Sequence, residues 1–156
     1  MTPSEKLTQL GLTLPPAPQA IGSYLPGIRA GRLIFVSGQL PFLNGQLTAT
    51  GKVATEVDLE AARAAARQAG LNALAIAADV AGGIDRIGRI VRLAVFVNSA
   101  PGFSDQPKVA NGASDLMVEI FGEAGRHARA AVGAAALPMN AAVEVELMAE
   151  LAGDVP

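Results

Sequence analysis

The chain has 156 residues, a net charge of −2 and a hydrophobic content of 51%, a composition typical of one globular domain rather than a disordered chain. It contains no Cys and one His, which excludes disulfides, thiolate chemistry and a two-His metal motif within one chain. Its acidic balance and its aromatic content of 4% argue against nucleic acid as a partner.

The N-terminal residues predict a leader in front of a single domain. Residues 1–19 include a short helical turn between Glu5 and Leu12, after which Pro15 and the prolines beside it prevent a helix from continuing. Residues 20–152 form the predicted domain. No apolar run reaches the roughly 18 residues that a membrane span needs, and the N-terminus lacks the pattern of a secretory signal. We therefore expect a cytoplasmic protein that does not bind membranes.

Two strands open the predicted domain. Residues 23–29 predict a strand at a sheet edge, because Pro26 cannot donate a hydrogen bond to a neighbouring strand. The apolar run at residues 33–36 predicts a second strand, which ends at Ser37 and Gly38. Gly38 has no side chain, so the backbone there can approach a ligand closely.

Two helices follow within the predicted domain. Residues 55–81 have helical periodicity, with Thr55 as the expected N-cap and Gly82 at the expected end. Residues 108–121 predict a second helix whose apolar side chains fall on one side. Asn111 lies near the start of this segment, where an asparagine most often caps the helix.

Three further strands complete the predicted sheet. Alternation over residues 91–97 places Val91 on the same face as the later odd-numbered residues. Residues 130–136 and 142–149 predict the last two strands, which we expect to pair as a hairpin. The order β-β-α-β-α-β-β predicts an α+β fold with two helices on one face of the sheet. The other face has no internal partner, so we expect other subunits to cover it.

Two carboxylates and an arginine are the strongest candidates for chemistry. Glu144 and Glu146 alternate with apolar residues in the last strand, so both are expected on the face away from the helices. This face is either solvated surface or part of a subunit crevice, where burial would raise the pKa of a carboxylate and let it transfer protons. Arg129 is either a surface cation or a bidentate clamp for a substrate carboxylate. If the last two strands pair, Arg129 and Glu144 meet across them or flank one crevice.

Two further candidates are the only residues of their type. His127, the single histidine, is at such a position more often structural or solvent-exposed than catalytic. Tyr24, the single tyrosine, belongs either to the core or to the rim of a site, where it would be the only phenol available to orient a ligand.

Four segments together resemble a divergent branch of the RidA (YjgF) family. The resemblance extends over residues 20–150 in the expected order, and its segments are Ser37–Pro41, Arg92–Asn98, Ala128-Arg129 followed by Leu137-Pro138, and Val143–Glu146. It implies a chorismate-mutase-like α+β fold with a mostly antiparallel sheet. It also implies a homotrimer with three clefts between neighbouring subunits.

The resemblance also implies an activity and roles for individual residues. Members of the family hydrolyse reactive enamines and imines, such as 2-aminoacrylate, to 2-keto acids and ammonia. No metal or cofactor is implied, because a protonated imine carbon is already electrophilic. Arg129 would bind the carboxylate of the imine or of the keto acid, and Glu144 would hold and activate the attacking water. The residues implied to line the cleft and orient the imine are Tyr24, Ser37, Gly38 and Asn111.

The sequence departs from the family pattern beside Arg129. His127 stands where the family has Pro, and Ala131 stands where it has Cys. We expect Ala131 to reshape the cleft and His127 to add a polar group at its mouth. Two alternatives to a deaminase are a ligand-binding or regulatory trimer without turnover, and an endoribonuclease, a label that some relatives carry. The acidic composition, the few aromatics and the lack of a His pair argue against the ribonuclease.

Overall fold

The computed structural model describes residues 1–19 and 22–153, so the start of the predicted domain at residue 20 lies outside the described residues. None of the helices in these two ranges is long and apolar enough to cross a bilayer. The short helical turn predicted between Glu5 and Leu12 is a helix over Pro3–Gln9, and it precedes the two longer helices that were also predicted. The helices and strands in chain order are α1 (Pro3–Gln9), β1 (Gly27–Ala30), β2 (Leu33–Gln39), β3 (Phe42–Leu43), β4 (Gln46–Leu47), α2 (Leu59–Ala81), β5 (Ile87–Asn98), α3 (Gln106–Phe121), β6 (Ala128–Ala134) and β7 (Val143–Leu151).

Five strands form one mixed sheet in the order β1-β2-β7-β5-β6, and β3 and β4 form a separate small hairpin. Neighbouring strands of the large sheet are antiparallel except β5 and β6, which are parallel. The prediction that the last two strands form a hairpin is wrong, because β5 lies between β6 and β7 and pairs with both. The chain from β5 through α3 to β6 is a parallel crossover unit, and β7 then returns to the centre of the sheet.

Strand β7 has the clearest alternation in the sheet. Val143, Val145, Leu147, Ala149 and Leu151 are at most 1% exposed, whereas the residues between them are partly or fully exposed. Helix α2 packs on β7 and β2, helix α3 packs on β5 and β6, and the two helices contact each other. The core therefore lies between these helices and one face of the sheet.

Small residues let α2 and α3 approach closely. Most of the buried residues of α2 are alanines. Gly112 of α3 lies against the backbone of Arg63 in α2, where an added Cβ would overlap the carbonyl oxygen. This close contact fixes the position of α3, which carries part of the candidate site.

The start of α2 differs from the prediction. Thr55 is not the N-cap; Asp58 is, and its Oδ1 accepts a hydrogen bond of 2.7 Å from the N–H of Ala61. The residues before it form a turn in which the N–H of Val57 donates to the carbonyl of Lys52. This turn keeps the chain at Thr55 out of the helix.

The alternation predicted for β5 fails at its first residue. Ile90 is fully buried and Val91 is only half-buried, because the pairing of β5 with β7 shifts register between Ile90 and Arg92. From Leu93 onward the odd-numbered residues of the strand are buried, as predicted.

The predicted leader packs against the rest of the molecule. Leu7 of α1 is 7% exposed and belongs to the core. The backbone N–H and the hydroxyl of Ser4 donate hydrogen bonds of 2.8 and 2.6 Å to the carboxylate of Asp85, at the turn before β5. These contacts join the start of the chain to the end of α2 and the start of β5.

The sheet face opposite the helices, called the open face below, carries exposed apolar side chains. Ile28, Phe35 and Val132 are 54%, 37% and 47% exposed, and pairing with their neighbours places all three on this face. A shallow cavity of about 270 Å³ lies here, and its lining includes Phe35, Ser37, Arg92 and Glu146.

Candidate active site

The predicted site residues fall into two groups, one on each face of the sheet. Arg129 pairs in register with Leu93, which is fully buried beneath the helices. Glu144 pairs with Phe96, which alternates with the buried residues of β5. Paired residues share a face of a sheet. The side chain of Arg129 therefore leaves the backbone on the helix side, and that of Glu144 leaves it on the open face. Within one chain, the two residues do not meet across paired strands, which was one of the two arrangements expected from the predicted hairpin.

Arg129, at the start of the edge strand β6, is held against α3. Its Nη1 donates hydrogen bonds to Asn111 Oδ1 at 2.8 Å and to Ser114 Oγ at 3.1 Å. Its Nε and Nη2 donate to none of the described residues, and none of their carboxylates forms an ion pair with it. Nε and Nη2 together form one bidentate edge of a guanidinium, which matches the geometry of a carboxylate.

Asn111 and Ser114 lie one turn apart on the same side of α3. The expectation that Asn111 caps the helix is wrong, because α3 begins at Gln106 and Asn111 lies inside it. Its side-chain oxygen accepts from Arg129 instead. Ser114 was not predicted as a site residue. Its spacing of three residues from Asn111 places the two side chains on one side of the helix only if the helix already includes Asn111.

His127 lies on the other side of Ser114. Its Nε2 is 2.9 Å from Ser114 Oγ, and its Nδ1 is 2.6 Å from the carbonyl oxygen of Gly125. Ala131 follows Arg129 on the same side of β6, where it is half-buried and packs against the core. An open cavity of about 220 Å³ is lined by Ser114, Val118, Arg126, His127 and Arg129.

Glu144 lies over Gly38, at an irregular point in β2. The pairing of β2 with β7 shifts register between Val36 and Gln39, and Gly38 lies within this bulge. A Cβ added at Gly38 would overlap the carboxylate of Glu144. The position therefore needs glycine for the carboxylate to lie where it does.

The surroundings of Glu144 favour its protonated form. Burial raises the pKa of Glu144 above its ordinary value, and the charge of Glu146 raises that pKa further. Glu146 lies two residues along the strand, on the same face, and is itself exposed. A half-buried carboxyl with a raised pKa is suited to accept a proton and return it during a reaction.

The other predicted residues lie on the β1–β2 side of the sheet. The Ser37 hydroxyl donates a hydrogen bond of 2.9 Å to the carbonyl of Leu25, so it ties β2 to the segment before β1. Tyr24 is 60% exposed in that segment. The structure thus joins Gly38 to Glu144 and Asn111 to Arg129, and it leaves Tyr24 at the surface. Among residues 1–19 and 22–153, no three His, Asp or Glu side chains cluster as metal ligands would.

Proteins that are similar to this chain in sequence bear on the chemistry of this site. Residues 4–151 match the family model described as "YjgF/chorismate_mutase-like, putative endoribonuclease". Protein TCP17 of Trypanosoma cruzi is 44% identical over 146 residues, which are 93% of this chain and 91% of that protein. A protein of Dermatophagoides farinae named 2-iminobutanoate/2-iminopropanoate deaminase is 31% identical over 135 residues, which are 86% of this chain and 91% of that protein.

A solved structure also has this fold. The crystal structure of "a putative endoribonuclease" from Shewanella oneidensis MR-1 superposes with a TM-score of 0.92 at 39% identity. The superposition covers 97% of this chain and 100% of that chain. The similarity therefore includes the strands and the helix that carry both groups of candidate residues.

Proposed function

The chain belongs to the YjgF/chorismate mutase-like family, and from this premise we propose that it hydrolyses small reactive enamines and imines to a 2-keto acid and ammonia. The proposed substrate carries a carboxylate on the imine carbon, as the imine tautomer of 2-aminoacrylate does. Support comes from the relative of Dermatophagoides farinae, whose name describes a deaminase of two such imino acids.

The observation that carries this proposal is the way in which Arg129 is held. Its Nη1 is anchored to Asn111 and Ser114, which leaves Nε and Nη2 as two parallel donors. A carboxylate accepts two parallel hydrogen bonds from such an edge. Arg129 would therefore fix the acid end of the substrate, and the adjacent imine carbon would lie at a defined distance from it.

Glu144 supplies the proton transfers in the proposed reaction. Water adds across the C=N bond to give a carbinolamine: its oxygen bonds to the carbon, and Glu144 transfers one of the water protons to the nitrogen. Glu144 then takes the hydroxyl proton of this carbinolamine and passes it to the nitrogen. The C–N bond breaks, the carbonyl forms and ammonia leaves. One water is consumed and no electrons are transferred, so acid–base chemistry by a carboxyl with a raised pKa is sufficient.

We propose that subunits of a homotrimer complete this site. Arg129 and Glu144 start from opposite faces of one sheet, so a pocket that contains both needs a second copy of the chain. Exposed apolar side chains on the open face, among them Phe35 and Val132, favour such association. The family resemblance supplies the number of copies. Tyr24, Ser37 and Gly38 would then line the cleft from one subunit.

An assay with imines generated in situ tests the proposed function. An amino-acid oxidase produces 2-iminobutanoate, and semicarbazide traps the imine that remains. We expect the parent to reduce trapping by converting the imine to 2-oxobutanoate and ammonia, and Arg129→Ala to lose this effect. Arg67→Ala, which removes an arginine paired with Glu119 on the helix surface, is the matched control. Equal imine consumption by Arg129→Ala and the parent would refute the clamp.

Two other outcomes of these experiments lead to different functions. If the parent binds 2-oxobutanoate but consumes no imine, the ligand-binding or regulatory trimer is favoured, and Ala131 in place of the family cysteine supports that alternative. If RNA is cleaved, and cleavage persists in repurified Arg129→Ala, the endoribonuclease of the family description is favoured. The net charge of −2 and the single histidine argue against cleavage of RNA.

A further inference from the structure

We propose that Ser114 and His127 are positioning residues for Arg129: they form a hydrogen-bonded chain that holds the guanidinium with its Nε–Nη2 edge presented to a carboxylate. This inference rests on the proposed role of Arg129 as a carboxylate clamp. It adds two residues for which the family resemblance implies no role, and one of them, His127, stands where the family has Pro.

When His127 is neutral, the donor and the acceptor of each hydrogen bond between Gly125, His127, Ser114 and Arg129 can be assigned in only one way. The carbonyl oxygen of Gly125 can only accept, so the His127 nitrogen 2.6 Å away, Nδ1, carries the proton. Nε2 then lacks a proton and can only accept. The hydroxyl of Ser114, 2.9 Å away, must therefore donate to Nε2. A lone pair of the same oxygen remains for Nη1 of Arg129 at 3.1 Å.

The hydrogen-bonded series begins at Gly125, whose backbone is held rigidly. Gly125 is buried, and an added Cβ there would overlap the carbonyl oxygen of Met117 in α3. The backbone of Gly125 is therefore packed tightly against the helix that carries Ser114. Both nitrogens of the His127 ring bind groups fixed to α3, namely the carbonyl of Gly125 and the hydroxyl of Ser114. The ring therefore fixes the orientation of the Ser114 hydroxyl relative to Gly125.

Arg129 needs such support because of its place in the fold. It lies on an edge strand, it is exposed, and none of the described carboxylates pairs with it. An arginine side chain in this situation has many accessible rotamers, and restricting them when a ligand binds weakens the affinity. Two acceptors on α3, Asn111 and Ser114, bind the same nitrogen and restrict the guanidinium before a ligand arrives.

Calorimetric titration with 2-oxobutanoate, a keto acid that cannot turn over, tests the proposal. Ser114→Ala removes the hydroxyl. His127→Asn keeps a donor for the carbonyl of Gly125, but the shorter side chain has no acceptor at the position of Nε2, where Ser114 binds. We expect Ser114→Ala to raise the Kd about tenfold, the effect of losing one hydrogen bond to a charged group. His127→Asn loses a hydrogen bond between neutral groups, so we expect it to raise the Kd about fivefold. Ser114→Thr and His127→Gln, which restore a hydroxyl and an acceptor, should return the Kd toward that of the parent.

Three further measurements separate positioning from a general loss of structure. Ser104→Ala, at an exposed serine on the loop before α3, is the control and should leave the Kd unchanged. In the Arg129→Ala background, Ser114→Ala should have no further effect, because it acts only through the guanidinium. Where turnover is measurable, Ser114→Ala should raise KM and leave kcat unchanged.

The outcomes distinguish this inference from the proposed function. If the parent and Arg129→Ala have the same affinity for 2-oxobutanoate, or neither binds it, the clamp is refuted and the inference with it. If Arg129→Ala binds 2-oxobutanoate more weakly than the parent but Ser114→Ala and His127→Asn bind as the parent does, the clamp stands and the positioning role is wrong. The positioning role is also wrong if Ser114→Ala weakens binding equally with and without Arg129.

Discussion

Arg129 and Glu144 start from opposite faces of the same sheet, three positions apart along the strands. Arg129 is level with Leu93 of β5, and Glu144 is level with Phe96. Because side chains alternate along a strand, the odd spacing places the guanidinium on the helix side and the carboxylate on the open face. The proposed mechanism therefore depends on the oligomeric state, since no single chain can direct both groups at one substrate.

This dependence predicts that assembly and activity are lost together. Val132, 47% exposed on the open face, is expected to be buried between subunits, where Val132→Asp would place an unpaired charge. Sedimentation velocity should give the parent three times the chain mass of 15.8 kDa and the variant a single chain without imine hydrolysis. Leu43→Asp, at an exposed residue of the β3–β4 hairpin, is the control and should remain a trimer. An active, monomeric parent would contradict the proposal.

The second prediction concerns the contact between Gly38 and Glu144. Gly38→Ala would push the Glu144 carboxylate out of place. We expect turnover to fall by about 100-fold, the lower range of a general acid–base contribution. Glu144→Gln should lose turnover to the same degree and still bind 2-oxobutanoate. The double variant should be no slower than Glu144→Gln alone, because Gly38→Ala acts through the carboxylate. Additive losses in the double variant would assign Gly38 a separate role.

Periodicity located most strands and helices, but it did not determine which strands are neighbours. Residues 130–136 and 142–149 have a short connection that is also compatible with a hairpin. The position of β5 between them depends on contacts between residues distant in sequence. The predicted N-cap of α2 was also wrong, because Thr55 and Asp58 are both good N-caps. The backbone turn between Lys52 and Val57 keeps Thr55 out of the helix, so Asp58 is the cap.

The sequence likewise predicted only part of the candidate site. The residue pattern singled out Arg129, Glu144 and Gly38, the resemblance implied their roles, and the structure shows how Gly38 and Glu144 are juxtaposed. Neither the pattern nor the resemblance could identify Ser114, because the role of that serine depends on the position of His127, where the sequence departs from the family. A residue that acts through two others has no pattern of its own in a single sequence.

The third prediction is a pH dependence of stability that originates at Glu144. Its pKa is raised in the folded protein, first by burial and then by Glu146. The folded state therefore binds more protons than the unfolded state between the two pKa values, so stability falls as pH rises through that interval. Glu144→Gln removes this penalty. Its Tm, followed by circular dichroism, should exceed that of the parent at pH 7.

The gain from Glu144→Gln should shrink as pH falls, and it should vanish below the unfolded-state pKa of about 4.3. Glu146→Gln provides a matched test, because it removes the charge that, after burial, raises the pKa of Glu144. In that background, the gain from Glu144→Gln at pH 7 should be smaller. A gain that does not vary with pH would show that ionisation of Glu144 is not its source.

The fourth prediction has the opposite sign and concerns the N-terminal helix. The side-chain hydrogen bond from Ser4, followed by its backbone hydrogen bond, lowers the pKa of Asp85 in the folded state. The ionised carboxylate therefore stabilises the fold at neutral pH, and this contribution is lost as pH falls through the lowered pKa. Asp85→Asn should lower the Tm at pH 7 and speed amide exchange in α1. Asp79→Asn, at an exposed position of α2, should do neither.

The last prediction tests the close contact of α2 and α3 with two matched glycines. Both Gly112 and Gly70 lie within helices, so replacement by Ala gains about the same helix propensity at each position, near 1 kcal/mol. An added Cβ at Gly112 would overlap the carbonyl oxygen of Arg63, whereas at Gly70 it would lie 3.1 Å from the Cβ of Ala113. The first contact is with backbone that cannot move without displacing α2. Overpacking of this kind typically costs about 1–3 kcal/mol, so urea titration should show Gly112→Ala clearly less stable than Gly70→Ala. Equal stability of the two variants would mean that the helices separate at no cost, and the position of Asn111 and Ser114 would then not depend on this packing.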